Sequence, residues 1–409
     1  MNTVLLLVGL AVAVFVGFNI GGSSTGVAFG PAVGSRLVSK TGAAALFTLF
    51  ALVGGWTVGR NVVATMGGDI VPSSAFTLAA SVGVLFFVGL ALLISNLFGV
   101  PASTSMTAVG AIAGLGLASG NLDWEVMGRI VSWWLVAPVV AFWVCAVVGR
   151  YLYPYLEAWF ALDRSDSALF DVDRSGTVPI PRLAENTRPK EVFWSGVVLA
   201  ISCYMAFSAG ASNVANAVAP LVGNGAITID QGVLIAAGAI AIGAFTIARR
   251  TLDTIGNDLT DLPLLASLIV ASVSASIITI LSQLGIPASL AVSATMCIVG
   301  LGWGRATRTT TIADAASAAI QGEESATLST GALAAETPER AEGAGGTADG
   351  GRPERVRPIG DEEPTDLTAQ DLFDPSATGR VVMLWILTPS LSAIASYLLF
   401  RVFPVYGGA

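Results

Sequence analysis

The sequence predicts an all-α integral membrane protein made of two related halves. Three observations lead to this prediction: an apolar composition, a series of long apolar stretches, and an internal repeat. Of the 409 residues, 54% are hydrophobic and only 12% are charged, about half the charged share of an average soluble chain. The expected solvent is therefore the lipid bilayer, and the expected location is the cell (plasma) membrane.

At least eight apolar stretches are long enough to cross about 30 Å of hydrocarbon as helices. They are Thr3–Ile20, Thr41–Gly59, Phe76–Leu97, Val126–Gly149, Val192–Ser208, Val233–Ala248, Leu262–Leu284 and Val381–Phe400. We expect the first stretch to stay in the mature protein, because no Lys or Arg precedes it and no small-residue cleavage site follows it.

Polar segments divide the chain. Residues 306–379 hold 14 of the 28 acidic residues among Ala, Gly, Thr and Pro, a composition too poor in apolar surface to fold by itself. A second polar segment rich in Pro, Ser and mixed charge separates the halves. The predicted divisions are a first repeat over 1–150, a polar linker over 151–191, a second repeat over 192–305, an acidic disordered loop over 306–379 and a final helix over 380–409.

Cysteine and histidine usage excludes several kinds of chemistry. Cys145, Cys203 and Cys297 are far apart in sequence and lie in apolar segments, so neither a disulfide framework nor a metal motif is expected. The chain contains no His, which removes imidazole as a metal ligand or acid/base group. No metal site is predicted, and a proton relay would need carboxylates.

The two halves repeat each other in sequence. Residues 21–34, GGSSTGVAFGPAVG, align without gaps on residues 210–223, GASNVANAVAPLVG, at an offset of 189 residues. Further along, residues 99–103, GVPAS, align on residues 285–289, GIPAS, at an offset of 186 residues. We infer that one ancestral half was duplicated.

Repeated halves are typical of secondary transporters, whose substrate sites lie near the membrane midplane where the repeats meet. The Gly/Ser/Asn segments 21–26 and 210–216 interrupt apolar runs, and the Pro-Ala-Ser segments 101–103 and 287–289 open shorter ones. Non-helical backbone at membrane depth is tolerated only where protein buries it or where it lines a watery cavity. We therefore expect four broken segments to converge.

These segments are rich in hydrogen-bond donors and contain no Arg or Lys. A helix that begins inside the membrane points unpaired N–H groups and its positive end at whatever precedes it, which favours an anion. The candidate anion-binding residues are Ser23, Ser24, Thr25, Ser103, Thr104, Ser105, Ser212, Asn213, Asn216 and Ser289. In the alternative interpretation, these small residues only allow close helix packing, and their hydroxyls bond to their own backbone.

Charged residues also recur in the repeat. At the offset of 189, Arg60 and Asp69 align with Arg249 and Asp258. They are candidates for gating or ion coupling. The alternative is that they are solvated side chains at the ends of spans.

At these motifs the sequence resembles the inorganic phosphate transporter (PiT) family, and most closely its sulfate permease branch. Members carry a Gly-Ala-Asn-Asp-Val-Ala-Asn signature and a later Pro-x-Ser-Thr-Thr hairpin in each of two inverted repeats. The resemblance covers 1–150, 192–305 and the final span. It implies two inverted transport repeats with broken helices and re-entrant hairpins. It also implies that the candidate residues named above, except Thr25, bind the anion and coupling sodium ions.

The sequence departs from the family pattern in both halves. Ser24 and Asn213 stand where the family has aspartates, Val27 stands where the first signature has its last Asn, and Leu290 and Ala291 replace hydroxyl residues of the second hairpin. Loss of both aspartates removes negative charge that would hold sodium or repel a dianion. Sulfate, which needs only donors, is favoured, but Ser and Asn oxygens can also accept the phosphate proton. Phosphate and sulfate both remain open.

The sequence therefore predicts a permease that moves an inorganic tetrahedral oxyanion, phosphate or sulfate, by alternating access and without strong sodium coupling. Proton symport or a steep anion gradient would supply the drive, and the oligomeric state is left open. No cofactor or nucleic-acid partner is expected. The alternatives are a sodium-coupled phosphate symporter and a non-carrier anion channel. A membrane enzyme is not predicted, because no nucleophile, base and orienting group recur together in the spans.

Overall fold

The computed structural model describes residues 2–98, 103–159, 170–173, 180–183, 189–258, 263–309 and 375–407. Its α-helices are α1 (Asn2–Gly34), α2 (Lys40–Thr57), α3 (Gly59–Ala64), α4 (Leu78–Phe98), α5 (Thr104–Ser119), α6 (Trp124–Val147), α7 (Tyr153–Trp159), α8 (Pro189–Gly223), α9 (Ile229–Asp258), α10 (Leu264–Gln283), α11 (Leu290–Ala306) and α12 (Pro375–Val402). π-Helical turns follow α3 (Thr65–Asp69) and α6 (Val148–Leu152), and 3-10 turns lie at Ser73–Ala75 and Thr307–Thr309. The predicted all-α membrane fold is confirmed.

Two short strands are the exception to the helical architecture. β1 (Phe170–Asp173) pairs antiparallel with β2 (Ile180–Leu183) in the polar segment between the halves. Apart from its first and last few residues, the predicted acidic loop 306–379 lies outside the described residues.

The helices are long and apolar enough for a membrane. Six of the described helices can cross it by length and composition, or seven if α2 and the helical segment after it count as one bent span. Each of the eight predicted apolar stretches coincides with a helix, although Leu78–Ile94 of α4 ranks as a shorter apolar helix. Many large apolar side chains point outward on these helices, as expected where lipid is the neighbour.

The signature segments do not break their helices, so the prediction of breaks at 21–26 and 210–216 is wrong. α1 and α8 run continuously through them. The glycines serve close helix packing instead: a Cβ at Gly21 would clash with the Ile240 carbonyl, and one at Gly210 with the Ala51 carbonyl. The break in the first half lies between α2 and α3, where the axis bends by 60°.

Helices of one half pair with helices of the other, and the partners run parallel. Gly17 and Gly22 of α1 lie against Ala239 and Ile247 of α9. Three other helix pairs show the same parallel progression. Where α2 and its extension pack on α8, Gly55 meets Val214 and Gly67 meets Ala219. Where α5 packs on α12, Gly110 meets Pro389 and Gly114 meets Ala393, and where α6 packs on α11, Phe142 meets Gly300 and Ala146 meets Gly304. The exchange is reciprocal: α1 and α2 of the first half pack on α9 and α8 of the second half, and α5 and α6 pack on α12 and α11.

The hairpin of α4 and α5 opens toward one face of the molecule. Before α4, the Thr77 hydroxyl donates to the Val405 carbonyl. At the end of α5, the Ala118 carbonyl accepts from the Tyr406 hydroxyl at 3.0 Å. Both outer ends of this hairpin therefore lie at the face where α12 ends, which we call the Tyr406 face.

The hairpin of α10 and α11 opens toward the opposite face. α6 begins next to the end of α5, at the Tyr406 face, and runs across to Tyr153. The buried Tyr153 packs in one cluster with Ala266 near the start of α10 and Leu301 near the end of α11. We call this the Tyr153 face.

The second helix of each hairpin is short. α5 has 16 residues and α11 has 17, which gives lengths of about 24 and 26 Å. These are shorter than the hydrocarbon thickness of about 30 Å. α5 and α11 are therefore too short to cross the membrane by themselves, and their hairpins open toward opposite faces of the molecule.

Candidate functional site

The first hairpin presents a helix N-terminus capped by a serine. Ser103 is 1% exposed, and its hydroxyl oxygen accepts from the Met106 backbone N–H at 3.3 Å. This cap satisfies one of the free N–H groups of the first turn of α5. The N–H groups of Thr104 and Ser105 have no partner within the helix by geometry, and they point out of the positive end of its dipole. Residues 99–102, which include the predicted Pro101, lie outside the described residues.

The second hairpin repeats this design. The turn that ends at Ser289 is buried, and the Ser289 hydroxyl oxygen accepts from the Val292 N–H at 3.4 Å. The Pro287 carbonyl in the turn accepts from the Trp134 indole N–H of α6 at 2.8 Å. Leu290 and the residue after it supply only backbone N–H groups, as the sequence indicates. The two hairpins are therefore similar in backbone and unequal in side chains.

The two helix starts converge. Met106 of α5 and Val292 of α11, each three residues after its capping serine, pack in one buried cluster with Trp385 of α12, and Trp134 lines its edge. The predicted convergence of all four segments stays a prediction, because residues 101 and 102 lie outside the described residues and only the starts of α5 and α11 share this cluster. The positive ends of two helix dipoles thus point into the same region of the protein.

The signature of α8 connects to this region through Asn216. Its side chain is fully buried, and its amide nitrogen donates to the Ser105 hydroxyl oxygen at 3.1 Å and to Asn213 Oδ1 at 3.1 Å. The Asn216 Oδ1 atom is buried and has no hydrogen-bond partner among the described residues. Because Ser105 accepts from Asn216, its own hydroxyl proton must be donated in another direction.

The other signature hydroxyls bond within their own helices. Ser23 donates to the Asn19 carbonyl at 3.1 Å, Thr25 to the Gly21 carbonyl at 2.7 Å and Ser212 to the Ala209 carbonyl at 3.4 Å. Ser23 is exposed and Ser24 is half-buried. These residues stay candidates, but the bonds they make are those expected of the packing interpretation.

Two of the four repeated charges, Arg60 and Asp69, have described side chains. Arg60 pairs with Asp230 at the start of α9 and lies 4.6 Å from the Trp56 ring centre. Asp69 is exposed at the end of its π-helical turn. Arg249 lies in α9 and Asp258 ends it, with side chains outside what the structure describes. Their gating or coupling role stays a prediction.

Neutral groups alone make up the described part of the site. Among the described residues, Arg308 is the only charged side chain in the buried set, and it bonds to the Arg150 carbonyl at 2.6 Å near the Tyr153 face. No group of three or more Cys, Asp or Glu residues in the described ranges could hold a metal. An anion here would be held by backbone N–H, hydroxyl, amide and indole groups.

Sequence reasoning missed two residues at this point, Trp134 and Trp385. Both stand four residues before a proline, Pro138 and Pro389, on the last helix of their half. Their offset is 385 − 134 = 251 residues, larger than 186 because the acidic segment is inserted between α11 and α12. Alignment of the halves at this larger offset would have found the pair.

The fold defines a multi-pass membrane protein in which two serine-capped helix starts share one buried cluster. The sequence profile of the phosphate transporter family matches residues 20–396. The chain therefore belongs to the phosphate transporter family, a family of membrane transporters.

Individual relatives agree with this assignment. Sulfate permease CysP of Bacillus subtilis (strain 168) is 29% identical over 297 residues, which cover 72% of this chain and 77% of that protein. A putative phosphate permease of Helicobacter pylori (strain ATCC 700392 / 26695) is 24% identical over 367 residues, with 73% and 68% covered. A solved structure, "The sodium-dependent phosphate transporter", superposes with a TM-score of 0.62 over 98% of this chain and 100% of that chain at 16% identity. This last likeness shows the fold alone.

Proposed function

We propose that this protein is a secondary transporter that carries sulfate or phosphate across the cell membrane by alternating access. One observation carries the proposal: Met106 and Val292, in the first turns of two serine-capped helices that enter from opposite faces, pack together in a buried region without a charged side chain. Helix N-termini stabilise anions through their N–H groups and dipoles. Neutral donors can replace the water around an oxyanion without trapping it.

The pairing of helices supports an inverted repeat and alternating access. The first helix of one half packs parallel to the second helix of the other, and each re-entrant helix packs parallel to the last helix of the opposite half. A pseudo-two-fold axis in the membrane plane produces this reciprocal exchange, because it reverses the direction of one half relative to the other. In folds of this kind, the two halves move against each other around a fixed midplane site. The halves so related are the predicted repeats 1–150 and 192–305, with 380–409 completing the second.

The donor chemistry favours sulfate while leaving phosphate as a substrate. The described site contains no carboxylate to accept the proton of hydrogen phosphate, whereas sulfate carries none. The relatives point the same way in part, since one is named as a sulfate permease and another as a putative phosphate permease.

Weak sodium coupling follows from the groups at the two aspartate positions. Asn213 Oδ1 accepts the hydrogen bond from Asn216, and the Asn213 amide nitrogen donates to the Ala209 carbonyl at 2.9 Å. Ser24 in α1 is neutral as well. A sodium ion at these positions would find only neutral oxygens, and one of them is already engaged.

The test is uptake by proteoliposomes that contain the purified full chain. Labelled sulfate and labelled phosphate are each offered with increasing amounts of the other anion. A carrier is expected to saturate and to exchange internal for external labelled anion, with sulfate competing more strongly than phosphate. Linear uptake without exchange would indicate a channel, and uptake only with sodium would indicate a sodium-coupled phosphate symporter.

A further inference from the structure

The indole N–H of Trp385 is a buried donor without an acceptor. Trp385 is 8% exposed, and its Nε1 atom has no hydrogen-bond partner within the described part of the chain. An indole can donate one hydrogen bond and accept none. Buried polar groups are nearly always paired, so this exception calls for an explanation.

Its position on α12 places Trp385 at the start of α5. Ser392 donates to the Thr107 carbonyl at 3.1 Å and Ser396 to the Ala111 carbonyl at 2.6 Å, so the two parallel helices advance in register. Trp385 precedes Ser392 by seven residues and lies on the same side of α12. Pro389 lies against Gly110, so Trp385, four residues earlier, is level with Met106 in the first turn of α5.

The ring also reaches the other hairpin. Trp385 packs in one cluster with Met106 of α5 and Val292 of α11. Both partners belong to first turns whose serine caps leave further N–H groups free. The unpaired indole donor thus lies among the backbone donors of two helix starts.

The counterpart of Trp385 in the first half is Trp134, whose indole N–H has a hydrogen-bond acceptor within the protein. Trp134 holds the equivalent place on α6, four residues before Pro138 as Trp385 is before Pro389. Trp134 donates to the Pro287 carbonyl of the second hairpin at 2.8 Å and so has a structural role. The same residue at the same position in the second half has no hydrogen-bond partner among the described residues, which exclude Pro101, the repeat equivalent of Pro287.

We propose that the Trp385 indole N–H donates a hydrogen bond to an oxygen of the transported oxyanion; this assignment rests on the proposed function. A donor that cannot accept requires an unprotonated oxygen opposite it. All four sulfate oxygens meet that requirement, as do three of the four oxygens of hydrogen phosphate. Trp385 is therefore a binding residue for either anion.

The experiment replaces the indole N–H by sulfur while the shape of the ring is kept. The full chain is produced with benzothienylalanine at position 385, and the dissociation constant for sulfate is measured by equilibrium binding in detergent, together with the thermal unfolding midpoint. We expect sulfate to bind about tenfold more weakly with an unchanged midpoint. Phosphate should bind more weakly by a similar factor.

Benzothienylalanine at position 134 is the matched control, because it removes the same N–H from the structural counterpart. Its expected effect is a lower unfolding midpoint, because the Pro287 carbonyl loses its donor, with a smaller loss of sulfate affinity than at position 385. Sulfate affinity at position 385 within about twofold of the unmodified protein, or a lowered midpoint alone, would overturn the assignment and leave Trp385 a packing residue. If the unmodified protein bound neither anion, the proposed function itself would fail.

Discussion

Ser103 and Ser289 hold equivalent places, but their surroundings differ. Each caps its helix with similar geometry, at 3.3 and 3.4 Å. Only the first hairpin adds hydroxyl residues, and one of these, Ser105, is joined to Asn216 of α8. The first hairpin is therefore expected to contribute more of the anion's binding energy.

Ser103→Ala should reduce anion affinity more than Ser289→Ala. Losing one donor to a desolvated anion costs about 1.5–3 kcal/mol, which corresponds to about ten- to a hundredfold in affinity. Concentration dependence of uptake in proteoliposomes measures both variants. The reverse order would refute the assignment, and changes below about threefold at both positions would favour a purely structural role for both caps.

Asn216 is the residue that joins a signature to a hairpin. Asn216→Ala should lower sulfate affinity by about tenfold or more. The substitution removes the amide that orients the Ser105 hydroxyl, and it leaves the buried oxygens of Ser105 and Asn213 without their donor. Ser212→Ala on the same helix is the control, since the Ser212 hydroxyl makes only a 3.4 Å bond to its own backbone. Equal effects of the two substitutions on binding would show that the Asn216 contact is incidental.

The packing of whole helices depends on glycines at the parallel contacts. In α9, a Cβ at Gly243 would clash with the Phe18 carbonyl of α1, whereas a Cβ at Gly238 would meet nothing within 4 Å. The two positions lie on one helix and differ mainly in this contact. Alanine at Gly243 and alanine at Gly238 change helix propensity equally, so a difference in stability between the two variants measures the packing of α1 on α9.

Gly243→Ala should destabilise the protein by about 1–3 kcal/mol, the usual cost of overpacking a tight contact. Gly238→Ala should be neutral or slightly stabilising, because alanine favours helix more than glycine does. Unfolding in detergent as denaturant is added measures both. If the two variants unfolded together, the close approach of α1 and α9 would not be a source of stability.

For the molecule as a whole, the question is what drives uptake. A dianion that enters a cell with a negative interior works against about 2.3 kcal/mol per charge for each 100 mV. Neutral groups replace both family aspartates, so sodium is not the expected source. Protons remain a candidate, through Asp69 or Asp258 near the ends of their helices.

Uptake into cells or energised vesicles should rise as external pH falls and should change less than about twofold when sodium is replaced by potassium. A protonophore should abolish it if protons are coupled, because the pH gradient then collapses. Asp69→Asn and Asp258→Asn identify which carboxylate carries the coupling. Strong sodium stimulation with no effect of pH would contradict this prediction and favour a sodium-coupled phosphate symporter.

The sequence by itself determined the membrane spans, the duplicated halves and the donor chemistry of the hairpins. These depend on local properties: apolar length for a span and a serine at a helix start for a cap. Ser103 and Ser289 were therefore predicted to lie at helix starts, and the all-α fold was predicted from the apolar stretches.

Only the tertiary structure decided whether α1 and α8 break and which donors meet. Gly21 is compatible with either a break or a continuous helix. In the structure it allows close helix packing, because the Ile240 carbonyl of the other half lies where a Cβ would be. Asn216 and Ser105 are separated by 111 residues, and Trp385 reaches both hairpins across an inserted acidic segment. Such contacts are set by how the two halves pack against each other, which is a property of the whole chain and not of any local pattern.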